Sequence, residues 1–533
     1  MFHQLLTPIG GSLPLSFLVA ALPVAVVLVM LGVLRRPAWQ SSLAGVVVAL
    51  IIAVTLWKMP VGLALDSTAA GMTFAIWPVM WIVFNALVLY NITVKTGRFE
   101  DLRRWMVEHM PGDKRVVLVV IGFCFGALLE GVAGFGTPVA ICSSLLIALG
   151  FPTLEALTFC LIFDTACVAF GALGVPVTTL AGVTGLPAHA LGSMIGRQLP
   201  FMAFLLPFYV MTLYGGLKSI KALWPVLLVA GGSFALIQFV VSNYLDFTLT
   251  DVLSSLLSLL VTVAFLRLWQ PAPDPAYAVH RPEGLAAHSG KPTWQAWLPW
   301  LGLSLVVILW TTFKVAAIGD MKIPWPGLDK QVFITLYDKP YAAVWDFQPL
   351  ATGTAILVSA VLTAAFLGVG PKGFMQAAWA SFRQIWLAVI TVCLIVGLAY
   401  LMNYSGLTYT LGLAASKVGP VFPILSVFLG WLAVFLSGSD TSGNALFGNL
   451  QVVAAQQLNL NPVLIAATNS SGGVMGKMIS PQNIATGVAV TDLKGQEGVV
   501  LARTFKHSII LALILGLLVM AQQYLFQWMI PPA

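Results

Sequence analysis

Charge is what this sequence has least of. Asp, Glu, Lys and Arg together make up 8% of its 533 residues, against roughly a quarter in ordinary soluble domains. A soluble globule of this size needs a polar shell that such a composition cannot supply. The shortage excludes a cytosolic enzyme, a nucleic-acid binder and a disordered scaffold. Cysteine is scarce as well. Cys124, Cys142, Cys160, Cys167 and Cys393 lie in apolar stretches with no CxxC and no clustered His. That argues against a disulfide framework and against any metal site. No Lys or Arg precedes the first apolar run. The basic start of a signal peptide is therefore missing, and the first run is expected to remain as a span. His pairs and nucleotide motifs are absent too, so no cofactor and no enzymatic centre is expected.

Hydrophobic residues supply 59% of the chain, and its mean hydropathy is +0.95. Apolar runs of about 20 residues recur from end to end, the length that crosses a bilayer as a helix. The expected fold is an all-α polytopic membrane protein. Twelve crossings are expected, near 14–34, 41–58, 68–92, 154–185, 198–217, 221–243, 250–268, 297–316, 349–369, 382–402, 462–490 and 505–530. Two further stretches, 116–150 and 420–458, are broken in the middle by glycine and polar residues and read as re-entrant hairpins. The net charge of +7 reflects topology rather than nucleic acid. With the N-terminus outside, the inner loops hold 18 of the 26 Lys and Arg, including Arg35, Arg36, Arg103, Arg104, Lys114 and Arg115. The positive-inside rule then places both termini outside, in the periplasm of a bacterial inner membrane.

The two halves resemble each other. With Asp164 set on Asn469, Thr165 falls on Ser470, Gly171 on Gly476, Pro176 on Pro481 and Gly182 on Gly487. Gly131 falls near Gly438, and Gly97 near Gly406. An odd number of crossings separates the halves, which makes them inverted repeats. The expected division is 1–213 for the first repeat, 214–348 for connecting spans and loops, and 349–533 for the second repeat. Inverted repeats with broken helices at the midplane are a recurrent transporter design.

Four segments interrupt the hydrophobic pattern and carry the chemistry. The first hairpin tip holds Glu130, Gly131, Gly134, Gly136 and Thr137; the first broken helix holds Asp164 and Thr165. The second tip holds Ser439, Asp440, Thr441, Ser442 and Asn444. The second broken helix holds Asn469, Ser470, Ser471, Gly472, Lys477, Ser480 and Gln482. Glycine and proline release backbone groups there, and such backbone is tolerated at membrane depth only inside protein or along a wet cavity. Helix N-termini, hydroxyls and amides suit a small carboxylate. The glycines also fit helix packing, as Gly122 and Gly126 do. They do not form a phosphate loop, because no Lys-Ser/Thr follows and no strand precedes. Glu130, Asp164 and Asp440 are the proton-coupling candidates, since an ionisable group inside a membrane marks an ion or substrate path. Lys477 reads either as the partner of Asp440 or as a contact for the substrate carboxylate. Sodium coupling through Ser, Thr, Asn and freed carbonyls suits the same segments and is the alternative.

The stretches at 122–136 (GlyPheCysPheGlyAlaLeuLeuGluGlyValAlaGlyPheGly), 196–201, 231–235, 403–407, 438–442 (GlySerAspThrSer) and 476–482 (GlyLysMetIleSerProGln) resemble the L-lactate permease family of bacteria. The resemblance covers nearly the whole chain and is weakest over 270–348. It implies uptake of lactate, glycolate and related 2-hydroxymonocarboxylates by proton symport across the inner membrane. It also implies kinship with a wider set of ion transporters, usually homodimers with paired hairpins and an elevator-like motion. The family pattern has Asn where Asp164 stands, a departure that bears on proton stoichiometry.

Overall fold

In the computed structural model, the described residues are 1–532 without 133, 135, 136, 280–293, 490, 494 and 495. Ten helices among them are long and apolar enough to cross a bilayer. The number is eleven if the bent pair Thr153–Asp164 and Val168–Thr184 counts as one span. The set differs from the twelve expected crossings. It includes the hairpin arms Lys114–Val132 and Leu407–Ser437, and it leaves out 462–490, whose helix Pro462–Lys477 stops after 16 residues. Two further differences have physical reasons. First, residues 188–244 form one continuous helical run that Gly216 interrupts, with φ 66° and ψ −170°. Gly231 packs against the Phe204 carbonyl, and Arg197 donates to Asn243 at 2.7 Å. The chain therefore doubles back at Gly216, and 198–217 and 221–243 lie side by side as separate helices. Second, the expected crossing at 349–369 is the helix Thr352–Phe366, of 15 residues. At 1.5 Å per residue it is shorter than a straight crossing needs.

The first hairpin runs through Lys114–Val132, returning as Thr137–Ala148. Its outgoing arm is buried from Arg115 onward, walled by rings such as Phe163 and Phe234 around Phe123. Gly122 sits where a Cβ would lie 2.9 Å from the Phe163 ring, which is a packing role. The second hairpin is Phe422–Ser437 and Asp440–Gln457. Gly438 turns between them with φ +72°, and Ser439 caps the returning helix through the Ser442 N–H at 3.3 Å, satisfying a donor that the helix start leaves orphaned.

Each half also contains a broken helix. In the first, Thr153–Asp164 gives way to a helix ending at Thr184, bent by 60°. Three consecutive residues at the break, Ala172, Leu173 and Gly174, are left-handed, with φ of 45°, 58° and 75°. Two of them carry side chains, a conformation L-residues adopt only at a cost. In the second, Pro462–Lys477 stops and Pro481–Val488 begins after Ser480, its cap. Pro176 and Pro481 thus occupy the same place relative to the two breaks. Gly97 and Gly406 are likewise both left-handed, and each opens a short helix, Arg98–His109 and Leu407–Ala415.

Small residues let the second hairpin and its broken helix touch backbone to backbone. A Cβ on Gly430, Gly472 or Gly476 would fall within 2.3 Å of a carbonyl oxygen of the facing helix. Close approach of this kind is how helices associate where no hydrophobic force separates them from lipid.

The 313–351 loop is not plain coil. Met321–Pro324 pairs antiparallel with Val344–Phe347. Val332–Ile334 pairs with Lys339–Pro340 and, in parallel, with Phe2–His3 at the start of the chain.

Candidate functional site

Each hairpin tip rests on the break of the broken helix in its own half. Gly134, left-handed at φ +56°, would place a Cβ 3.5 Å from that of Ala172. Gly438 would place one 2.8 Å from Ser480 Oγ and 2.7 Å from Gln482 Oε1. The tip glycine of the first half is therefore Gly134, three residues beyond Gly131, the position matched to Gly438 in sequence.

Contacts between the halves assemble the centre. Lys477 Nζ, at the end of Pro462–Lys477, donates to Glu130 Oε1 at 2.5 Å and stands 3.4 Å from Asp164 Oδ2. The side chains are 3–5% exposed. Of the two readings of Lys477, the one pairing it with Asp440 is not the arrangement seen; its partners come from the other half. Glu130 Oε2 and both Asp164 oxygens have no hydrogen-bond partner among the described residues.

A second cluster lies one helical turn away, since Gly473 and Lys477 share a face at i and i+4. A Cβ on Gly473 would fall 2.4 Å from Asp440 Oδ1. Asp440 Oδ2 accepts from the Ser470 hydroxyl and from Asn444 Nδ2 at 3.3 Å. Asn444 Nδ2 also reaches the Pro176 carbonyl at 3.1 Å, tying the second hairpin to the first broken helix. Asn469 donates to Asn444 Oδ1 at 2.9 Å and accepts from Gln451 Nε2 at 2.6 Å. Gln451 in turn accepts from Ser426. Asp440 Oδ1 and the Ser471 hydroxyl are buried without partners among the described residues. A buried ammonium can donate to a small carboxylate, and the open carboxyl oxygens can accept from a hydroxyl that such an anion carries.

The remaining expected residues divide by role. Thr165 bonds back to the Ile162 carbonyl at 2.7 Å, a self-satisfied hydroxyl. Gly472 packs on the Val427 backbone and Gly131 on Asp251. Thr441 and Ser442 are buried in the first turn after the tip. Ser480 caps Pro481–Val488 through the Asn483 N–H at 3.4 Å, and Gln482 is exposed beside the tip. Thr137 opens the return helix of the first hairpin. Gly136 lies outside the described residues.

Asp251 is the acid that sequence reading missed. It is 1% exposed, neither oxygen has a described partner, and its Cβ lies where a Cβ on Gly131 would meet it at 2.8 Å. The signal was present but weak. Asp251 sits in the first turn of Thr250–Leu268, where an acid normally faces water and favours the helix dipole. Four carboxyls and one ammonium thus occupy the buried centre.

A family model described as L-lactate permease matches residues 16–526. The chain is 41% identical over 542 residues to an L-lactate permease of Escherichia coli strain K12, covering 98% of each chain. It is 40% identical over 555 residues to the glycolate permease GlcA of the same strain, covering 99% of each. An L-lactate permease of Bacillus subtilis strain 168 is 39% identical over 561 residues, again 99% of each. Among solved structures, the YdaH transporter of Alcanivorax borkumensis superposes with a TM-score of 0.52 at 13% identity, covering 93% of this chain and all of that one. MtrF of Neisseria gonorrhoeae gives 0.51 at 14% identity, covering 93% and 97%. At such identities the likeness concerns the fold alone.

Proposed function

Because the chain belongs to the L-lactate permease family, we propose that it imports L-lactate, glycolate and related 2-hydroxymonocarboxylates by proton symport. Membership makes it a multi-pass membrane permease and not an enzyme. The observation that carries the finer reading is Lys477, held between Glu130 and Asp164 across the two halves.

The charge balance supplies the coupling. One carboxylate neutralises Lys477. A substrate carboxylate takes that place only when the displaced carboxyl accepts a proton; otherwise the buried site gains a net negative charge, which is expensive in a low-dielectric setting. One anion then travels with one proton. Glu130 and Asp164 exchange with the substrate at the ammonium, and Asp251 stands behind them. Asp440 holds a second proton position, with Ser470 and Asn444 orienting it. The Ser471 hydroxyl is free to meet the 2-hydroxyl of the substrate. The two hairpins and the two broken helices form the inverted core that moves, with the substrate, against the surrounding spans. In this reading both termini face the periplasm of the inner membrane.

The test is uptake of labelled lactate or glycolate into proteoliposomes under an imposed pH gradient, with sodium varied at fixed pH. Accumulation is expected to follow the pH gradient. Accumulation that follows sodium instead gives the coupling to that ion. Full gradient-driven accumulation in both Asp440→Asn and Glu130→Gln would remove the proton-carrier roles.

A further inference from the structure

The second hairpin tip forms a wall of a cavity that no role above uses. Its volume is about 470 Å³, and Ser437, Pro481 and Gln482 line one side. These residues adjoin Gly438 and Ser480, where the tip meets the helix break. The opposite side holds Arg35 and Arg36, in the turn between helices Leu13–Gly32 and Ala38–Thr55. Both arginines are exposed, and neither joins an ion pair among the described residues. Arg35 is left-handed, with φ 49°, unusual for a residue with a side chain. The turn is fixed against the hairpin, since a Cβ on Gly32 would fall 2.4 Å from the Leu436 side chain. Glu497 supplies one acid on the wall, so among the described lining residues two cations accompany one anion. A basic turn placed only for topology has no reason to share a cavity with the tip of a buried carboxylate site.

We propose that this cavity is the cytoplasm-facing anteroom of the site, where Arg35 and Arg36 gather the substrate carboxylate as it passes Gln482. The inference rests on the carboxylate-transport reading and adds the route by which the anion reaches one side. A cleft with an excess of one sign concentrates the opposite ion and speeds its exchange by about 10-fold or more. Carboxylate exchange through this mouth therefore weakens at high salt.

The experiment places a reporter on the wall at Ala485, which lines the cavity and is exposed. Ala485→Cys is made in a Cys393→Ser background, because the other four cysteines are buried. An anionic and a cationic methanethiosulfonate are compared as reagents on the purified protein in liposomes. The anionic reagent is expected to react about 10-fold faster or more. R35Q/R36Q is expected to abolish that preference and slow lactate efflux several-fold. R35K/R36K, which keeps charge and topology, is expected to retain both. Equal rates for the two reagents with the arginines in place would overturn the proposal. So would unchanged efflux in an R35Q/R36Q protein whose thermal unfolding matches the parent. If the reagent preference holds but neither lactate nor glycolate slows labelling, the anteroom stands and the lactate reading fails.

Discussion

Lys477→Met is the sharpest test of the buried centre. Met keeps an unbranched side chain of similar length and removes the ammonium. Glu130 then loses its only described partner, at 2.5 Å, and Asp164 loses its neighbouring cation at 3.4 Å. Removing one partner of a buried ion pair costs about 3–5 kcal/mol, because an uncompensated charge stays behind. Here the carboxylate that neutralised Lys477 is stranded at 3–4% exposure, so a loss within that range applies. Replacing every member by apolar groups of similar volume is close to neutral for stability. The triple variant Lys477→Met, Glu130→Met, Asp164→Leu is therefore expected to recover most of the loss. Thermal unfolding of purified protein in detergent reads stability, and proteoliposome uptake reads function. Stability is expected to fall in the single variant and return in the triple, while uptake is lost in both. A triple variant as unstable as the single would refute the ion-pair account. Gradient-driven uptake surviving in the single would refute the role of the ammonium in binding.

Other expectations concern single positions. Asp251→Asn is expected to leave expression unchanged and lower gradient-driven uptake at least several-fold; unchanged uptake would make Asp251 a bystander. Gly476→Ala places a Cβ 2.2 Å from the Trp431 carbonyl oxygen, a backbone clash that no rotamer relieves. Its folded yield by size-exclusion chromatography is expected to collapse. Gly134→Ala forces a side chain into a left-handed turn, a penalty of about 1–2 kcal/mol, visible as a lower unfolding temperature. In the 313–351 loop, burial and then the neighbouring Asp320 push the Asp346 carboxyl up to about 6. A raised acid binds its proton more tightly in the folded loop, so its stabilising contribution is present at low pH and fades as pH rises through about 6. Hydrogen exchange of Met321–Pro324 and Val344–Phe347 is expected to quicken across that range in the parent and not in Asp346→Asn.

What could be read from sequence was whatever interrupts an apolar run. Glycine, proline and hydroxyl residues marked both tips and both breaks, because membrane-embedded backbone has few other ways to leave the helix. Gly97 and Gly406 stood out as matched positions of the two halves. What could not be read was three-dimensional adjacency. Nothing local says that Lys477 meets an acid 347 positions away rather than Asp440. Asp251 stands at a helix start, and nothing in the sequence shows its burial against Gly131. Length alone does not settle the number of crossings at the short helix Thr352–Phe366 or at the run folded double by Gly216. The loop strands are two to four residues long, below what alternation can reveal.

The outgoing arm of the first hairpin is enclosed on every side from Arg115 to Val132. A helix at the rim of a bundle has one face turned to acyl chains, where many apolar substitutions pass unnoticed. This one has no such face. Deep mutational scanning along it should show intolerance at position after position, without the rise and fall every three to four residues that marks a lipid-facing rod. The carboxyl of Glu130 is correspondingly insulated from the fatty composition of the host membrane, and its surroundings change only when neighbouring protein moves.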